Sequence, residues 1–166
     1  MSKEVVIYTD GACAGNPGPG GYAFIATTPI TNAETDEVMT LDGKKVLVRQ
    51  VEGKGGEKDT TNNRMELMAV IQAMRHFTAK KEVPQITIIT DSQYVMKGMT
   101  EWIKGWKAKN WIGSNKKPVK NRDLWEALDS FCQKAPGLKW QWVKGHSGDH
   151  FNEAVDQLAV SAIPKE

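Results

Sequence analysis

Glu4-Val5-Val6-Ile7-Tyr8-Thr9-Asp10-Gly11-Ala12-Cys13-Ala14-Gly15-Asn16-Pro17-Gly18-Pro19-Gly20-Gly21 is the stretch on which the reading of this chain turns. Val5, Val6 and Ile7 form an unbroken apolar run, which predicts a strand from Glu4 to Tyr8. The crowded Gly and Pro residues after Ala14 predict a loop. Asp10 sits where the one gives way to the other. A carboxylate at the mouth of a buried strand is costly unless something cationic meets it. Glu66, Asp91 and Asp156 lie in comparably awkward places, and the chain reads as a scaffold that gathers four acids around metal ions.

Outward from this stretch, Gly20 to Thr27 alternates as a second strand. Glu37 to Leu41 and Lys44 to Val51 read as two strands about an Asp42-Gly43 turn. Glu52 to Asp59, with Gly53, Gly55 and Gly56, reads as a flexible connector. A helix follows, capped by Asn62 or Asn63, with Leu67, Val70, Ile71, Met74 and Phe77 at helical spacing to about Lys80. Ile86 to Thr90 is a short buried strand, after which Asp91-Ser92 caps a helix running to about Trp106. Lys107 to Lys120 is an irregular basic loop, and Asn121 or Asp123 starts a helix that stops before Pro136. Leu138 to Val143 is a strand, Gly145 to His150 a loop, and Asn152 to Ile163 the last helix. Three antiparallel strands followed by helix–strand alternation predict one mixed sheet with helices packed on it, an α/β fold.

A chain of 166 residues fits one domain, and 40% hydrophobic with 25% charged residues is ordinary for a soluble globular protein. No apolar run approaches the ~18 residues of a membrane span, and Met1-Ser2-Lys3 leads straight into a strand, so no signal peptide is expected. Cys13 and Cys132 make neither a disulfide framework nor a zinc pattern, which points to a reducing, cytoplasmic setting. Net charge is only +2, but Lys97, Lys104, Lys107, Lys109, Lys116, Lys117, Lys120 and Arg122 face a single acid, Glu101, in their segment. Such a block on a near-neutral protein suits a polyanion.

If the first and fourth strands are parallel neighbours, Asp10 and Asp91 leave the sheet at one edge, where ligands of open α/β sheets bind. Glu66 points within about 40° of Val70, Ala73 and Phe77 on its helix. Asp156 shares a stripe with Val160 and Ile163. Singly, each has a bland explanation: a turn residue, an N-cap, a first-turn acid favoured by the helix dipole, a surface acid. Together they need a counter-cation, and no Lys or Arg sits on the same stripes. Four hard oxygen donors without a His or Cys cluster favour Mg²⁺ or Mn²⁺ over zinc. A cluster of this size can hold two such ions at ~4 Å, the arrangement for in-line attack on a phosphodiester.

At these residues the chain resembles ribonuclease H type 1. Thr9-Asp10-Gly11-Ala12-Cys13 with Asn16 to Tyr22, then Thr60-Thr61-Asn62-Asn63-Arg64-Met65-Glu66-Leu67, Thr90-Asp91-Ser92-Gln93-Tyr94-Val95, and Trp142 to Gly148 with Asn152, Glu153 and Asp156 are similar to that family's four motifs, in order. The resemblance covers nearly the whole chain. It implies a ribonuclease H-like fold, a five-stranded mixed sheet in the order 3-2-1-4-5 flanked by helices. It implies an endonuclease that hydrolyses the RNA strand of RNA–DNA hybrids, leaving 3′-hydroxyl and 5′-phosphate ends. It implies that Asp10, Glu66, Asp91 and Asp156 hold two Mg²⁺ ions, with Mn²⁺ a possible substitute. His146, on a loop after a strand, fits as an accessory group that shuttles protons or helps product leave; His76 and His150 are assigned to surface.

Telling RNA from DNA requires contact with the 2′-hydroxyl, for which Cys13, Asn16, Asn62, Asn63 and Gln93 are candidates, although Asn16 can serve a turn and Asn62 or Asn63 a cap. Trp102 and Trp106, four apart on one helix face, lie among the lysines of a basic protrusion at about 104–121, where Lys116, Lys117 and Lys120 would meet the DNA strand. Trp111 and Trp125 read equally as core. Thr61 and Asn121 match family positions that grip a DNA phosphate. The expected organisation is a single ribonuclease H domain over residues 1–166, a monomer without membrane attachment, with an extended hairpin region at about 28–59 and no separate hybrid-binding domain before Glu4. Gly15-Asn16-Pro17-Gly18 is not a nucleotide fingerprint, since Gly-Lys-Ser/Thr is missing and a strand follows. Two rivals are another nuclease of the same fold and a non-catalytic hybrid-binding module. Asp-x-Glu is absent from the first strand, and all four acids are present.

Overall fold

The computed structural model describes residues 4–29, 34, 40–41, 45–46, 48–144 and 150–165. Its main sheet has five strands: β1 (Glu4–Cys13), β2 (Gly18–Pro29), β5 (Val48–Thr60), β6 (Gln85–Thr90) and β7 (Lys139–Trp142). They lie in the order β5-β2-β1-β6-β7, which is 3-2-1-4-5 when only this sheet is counted. β1 is antiparallel to β2 and parallel to β6, and β7 extends the parallel half. Two short strands, β3 (Thr40–Leu41) and β4 (Lys45–Val46), pair antiparallel in a sheet of their own. This matches the hairpin expected about Asp42-Gly43, whose turn residues, like Glu37 to Met39, fall outside the described set.

Side-chain alternation assigns the two faces of the sheet. Val5, Ile7, Phe24, Ala26, Ile86 and Ile88 face one way, onto Leu67, Val70 and Met74 of α1 (Asn62–Thr78) and Trp125 and Leu128 of α4 (Arg122–Gln133). Ala23 and Ile25 face the other way, onto Val155 and Ala159 of α5 (His150–Ser161). The first cluster carries most of the apolar burial; the second is small and mainly seats one helix.

Several expectations about single elements are corrected. The segment from Glu52 to Asp59 is no flexible connector but part of β5, paired along its length with β2. Its glycines serve packing rather than flexibility: a Cβ on Gly53 would overlap the Phe24 ring, and one on Gly55 the Tyr22 ring. β1 runs to Cys13, past the end of β6, because Gly11 to Cys13 still pair with Gly20 to Tyr22 of β2. The Gly/Pro loop therefore shrinks to the residues between Cys13 and Gly18. The helix expected after Ser92 comes in three parts: α2 (Gln93–Lys97), a π-helical turn over Gly98–Trp102, and α3 (Ile103–Ala108). A wider turn of this kind is invisible to a search for a 3.6-residue period.

Candidate active site

Register places the first two acids side by side. Thr9 of β1 is the parallel partner of Thr90, the last residue of β6. Asp10 and Asp91 directly follow this last pair, so both carboxylates emerge where the parallel pairing ends. The backbone around Asp91 is held tightly. The Trp142 indole N–H donates to the Asp91 carbonyl at 3.1 Å. The Ser92 N–H donates to Thr90 Oγ1 at 3.0 Å, and Ser92 Oγ accepts the Val95 N–H at 3.2 Å as the cap of α2.

Glu66 arrives from α1. This helix starts at Asn62 with Thr61 as its cap, Thr61 Oγ1 accepting the Arg64 N–H at 3.3 Å. Neither Asn62 nor Asn63 caps it; both sit inside the first turn and are exposed. Glu66 is therefore the fifth helical residue, and the first turn holds no acid, so the dipole explanation of its position does not apply. It points inward because β1 passes directly beneath. A Cβ on Gly11 would lie 2.5 Å from the Glu66 nitrogen and from the Met65 carbonyl carbon, so only glycine permits this approach. The Gly11 N–H donates to Asp10 Oδ1 at 2.9 Å and also to Glu66 Oε1.

Asp10, Glu66 and Asp91 each offer a carboxylate oxygen within 4.8 Å of the others. Asp10 is 6% exposed and Glu66 9%. Among the described residues no cation forms an ion pair with either. Burial lifts the Asp10 carboxyl to about 7, with the charges of Asp91 and Asp156 adding to the rise and a hydrogen bond to Glu66 opposing it. Burial and then repulsion from Asp10 push Glu66 well above the usual carboxylate range. Asp156, on α5, acts on Asp10 as both a hydrogen-bonding and a charged neighbour but is not within the tight trio. The stripe expected for it is corrected: Val160 is 51% exposed, and the face α5 buries is Asn152, Val155 and Ala159. Asp156 lies at the rim of that face, half-buried.

Three carboxylates this close, two of them buried and sharing the Gly11 N–H, repel one another and fit a hard divalent cation. Asp10, Glu66 and Asp91 would be its direct ligands, with Asp156 beside Asp10.

The remaining candidates divide into two groups. Around the β1–β2 turn, the Cys13 thiol donates to the Gly15 carbonyl at 2.6 Å, and burial raises its pKa. Asn16 Oδ1 accepts the Asn62 N–H at 3.1 Å, tying this turn to the start of α1. Asn62, Asn63 and Gln93 are exposed near the acids in sequence. In the basic segment, the Trp102 and Trp106 ring centres are 5.8 Å apart, and Trp102 is 38% exposed. Trp106 packs inward against Trp125, ring centres 5.2 Å apart and planes tilted by 58°; Trp125 is fully buried, and Trp111 is half-buried against the same core. Lys107 and Arg122 are engaged by Asp129 and Glu126, whereas Lys116, Lys117 and Lys120 are exposed without an ion pair among the described residues. His76 and His150 are exposed. His146 lies outside the described residues.

Arg64, Tyr94 and Trp142 make hydrogen bonds around the site residues that sequence reasoning missed. Arg64 stands two residues before Glu66 and bridges to Asn121 and Asp123 of another helix start. Only its place inside a motif hinted at a role.

The chain matches the RNase H family model over residues 2–164. It is 49% identical to a ribonuclease H of Cupriavidus metallidurans, over 97% of this chain and 96% of that protein. It is 48% identical to one of Chromobacterium violaceum, over 96% and 95%. Among solved structures it superposes on LC9-RNase H1, a type 1 RNase H with the type 2 active-site motif, with a TM-score of 0.77 and 31% identity, covering 98% of this chain and 73% of that one. The acids where the β1–β6 pairing ends, the sheet order and these likenesses agree, and the chain belongs to the RNase H family.

Proposed function

We propose that this protein is a metal-dependent endonuclease that hydrolyses the RNA strand of RNA–DNA hybrids, giving 3′-hydroxyl and 5′-phosphate ends. The observation that carries the reading is the convergence of Asp10, Glu66 and Asp91 within 4.8 Å. When bound, two Mg²⁺ ions, or Mn²⁺ in their place, would acidify the attacking water and offset charge on the leaving 3′ oxygen. Asp10, Glu66, Asp91 and Asp156 would hold them. The Gly11 N–H fixes how the Asp10 and Glu66 carboxylates face each other, and the Trp142–Asp91 bond keeps Asp91 from drifting with the loop after β6. His146 moves a proton at the site or eases product release.

Cys13, Asn16, Asn62, Asn63 and Gln93 contact the RNA strand and its 2′-hydroxyls, an assignment supported by their closeness in sequence to Asp10, Glu66 and Asp91. Thr61 and Asn121 hold a DNA phosphate. Trp102 and Trp106 present a partly exposed aromatic ledge to the DNA strand, and Lys116, Lys117 and Lys120 meet its phosphates. The working unit is one domain over residues 1–166 acting as a cytoplasmic monomer. No described helix is long and apolar enough to cross a membrane.

A strand-labelled hybrid, incubated with and without Mg²⁺ beside RNA duplex, DNA duplex and single-stranded RNA, tests the reading. Metal-dependent cutting of the RNA strand of the hybrid alone supports it. Binding without cutting would mean a non-catalytic module, and cutting of DNA a different nuclease on this fold.

A further inference from the structure

Asn121 is held in an unusual state. Its φ is 61°, in the left-handed region, and its backbone carbonyl accepts the Leu124 and Trp125 N–H groups at 3.0 Å each as α4 begins. Its side-chain oxygen accepts a hydrogen bond from Arg64 Nη1 at 3.3 Å. Its amide nitrogen donates to the Tyr94 hydroxyl at 3.1 Å. That hydroxyl also accepts the Trp125 indole N–H at 3.1 Å. Arg64 is itself fixed by a two-point contact with Asp123, at 3.3 and 3.2 Å.

An asparagine amide can present either end, and its neighbours decide which. A tyrosine hydroxyl accepts or donates, so Tyr94 tolerates both orientations. A guanidinium only donates. Arg64 is thus the one described neighbour of the amide that demands oxygen on its own side. With the oxygen committed to Arg64 and one amide hydrogen to Tyr94, the second hydrogen has no partner among the described residues. It remains available to an anion. Were Arg64 lost, the Tyr94 hydroxyl could donate to the amide oxygen, and the amide would be free to rotate and present oxygen to the same anion.

We infer that Arg64 is a positioning residue that sets the polarity of the Asn121 amide so that an N–H, not an oxygen, meets a DNA-strand phosphate. This rests on the reading of Asn121 as a phosphate contact. Arg64 also lies two residues before Glu66 on α1, so the same helix turn that aims a metal-site acid orients the phosphate donor at the N-cap of α4.

The test uses hybrids carrying one neutral methylphosphonate at successive DNA-strand positions, with KM and kcat measured for the full chain. In the unsubstituted enzyme one position should raise KM by about tenfold, the worth of one charge-assisted hydrogen bond, with kcat little changed. Arg64→Leu should raise KM on the normal hybrid by a similar factor and lose its sensitivity at that position. Arg64→Lys, whose ammonium can only donate, should keep the sensitivity, which guards against a trivial folding defect in Arg64→Leu. Full sensitivity in Arg64→Leu, or its loss in Arg64→Lys as well, overturns the inference. If the unsubstituted enzyme is insensitive at every position, the phosphate-contact reading itself fails and this inference falls with it.

Discussion

Burial lifts Asp10 to about 7 and pushes Glu66 up beside it, while a single backbone N–H serves both carboxylates. A carboxylate whose folded pKa exceeds its unfolded value destabilises the fold once ionised. Its contribution is harmless below the unfolded pKa near 3.8 and unfavourable as pH rises through about 7. In EDTA the melting temperature should therefore fall across that window, and Asp10→Asn should flatten the fall and raise the melting temperature at pH 8 by a few degrees. An unchanged profile in Asp10→Asn would remove Asp10 as the source. With Mg²⁺ the ranking should reverse for activity: kcat in Asp10→Asn should drop by at least on the order of a hundredfold, since even losing a group that merely orients a metal ligand costs about that much. Turnover near the unsubstituted level would overturn the metal assignment. These acids were legible in the sequence only in combination, since each alone has a bland explanation and the group together lacks a counter-cation on the same stripes. Arg64 was not, because its partners Asn121 and Asp123 lie far along the chain and only the packing of α4 on α1 brings them near.

At the scale of elements, period and punctuation were enough to find α1, α4, β6, β7 and α5, whose ends shift by only a few residues. β5 was misread because its glycines look like a linker until Phe24 and Tyr22 of the neighbouring strand are seen to need the space. The two readings predict opposite signs. In a flexible connector Gly53→Ala would stabilise by about 0.4–1 kcal/mol through the unfolded chain. Beneath the Phe24 ring the added methyl forces a shift, and overpacking of this kind costs about 1–3 kcal/mol. Chemical denaturation of Gly53→Ala should show a loss of that size, and a gain would return the segment to connector status. Gly11→Ala should be worse, because there the obstacle is α1 backbone rather than a ring; both stability and kcat should fall, as strand and helix separate at Glu66.

For the molecule as a whole, charge is divided rather than abundant. The net charge is only +2, yet one end of the fold gathers self-repelling acids while the segment between α3 and α4 displays lysines with no ion pair among the described residues. A hybrid laid across both would meet cations on its DNA strand and, through bound metal, cations on its RNA strand. The lysines act by attraction common to the ground and transition states, so their loss should appear in KM rather than kcat. Replacing Lys116, Lys117 and Lys120 together with Ala should raise KM several-fold at moderate salt and leave kcat within about twofold. The stronger check is the salt dependence of binding, measured in Ca²⁺ or with Asp10→Asn to prevent cutting. Each phosphate that is no longer neutralised should reduce the slope of log K against log salt by about 0.7–0.9, so the triple variant should be shallower by about 2–3. A parallel line of lower affinity would mean that the lysines shape the loop rather than meet phosphate, and coincident lines would remove the protrusion from the binding surface.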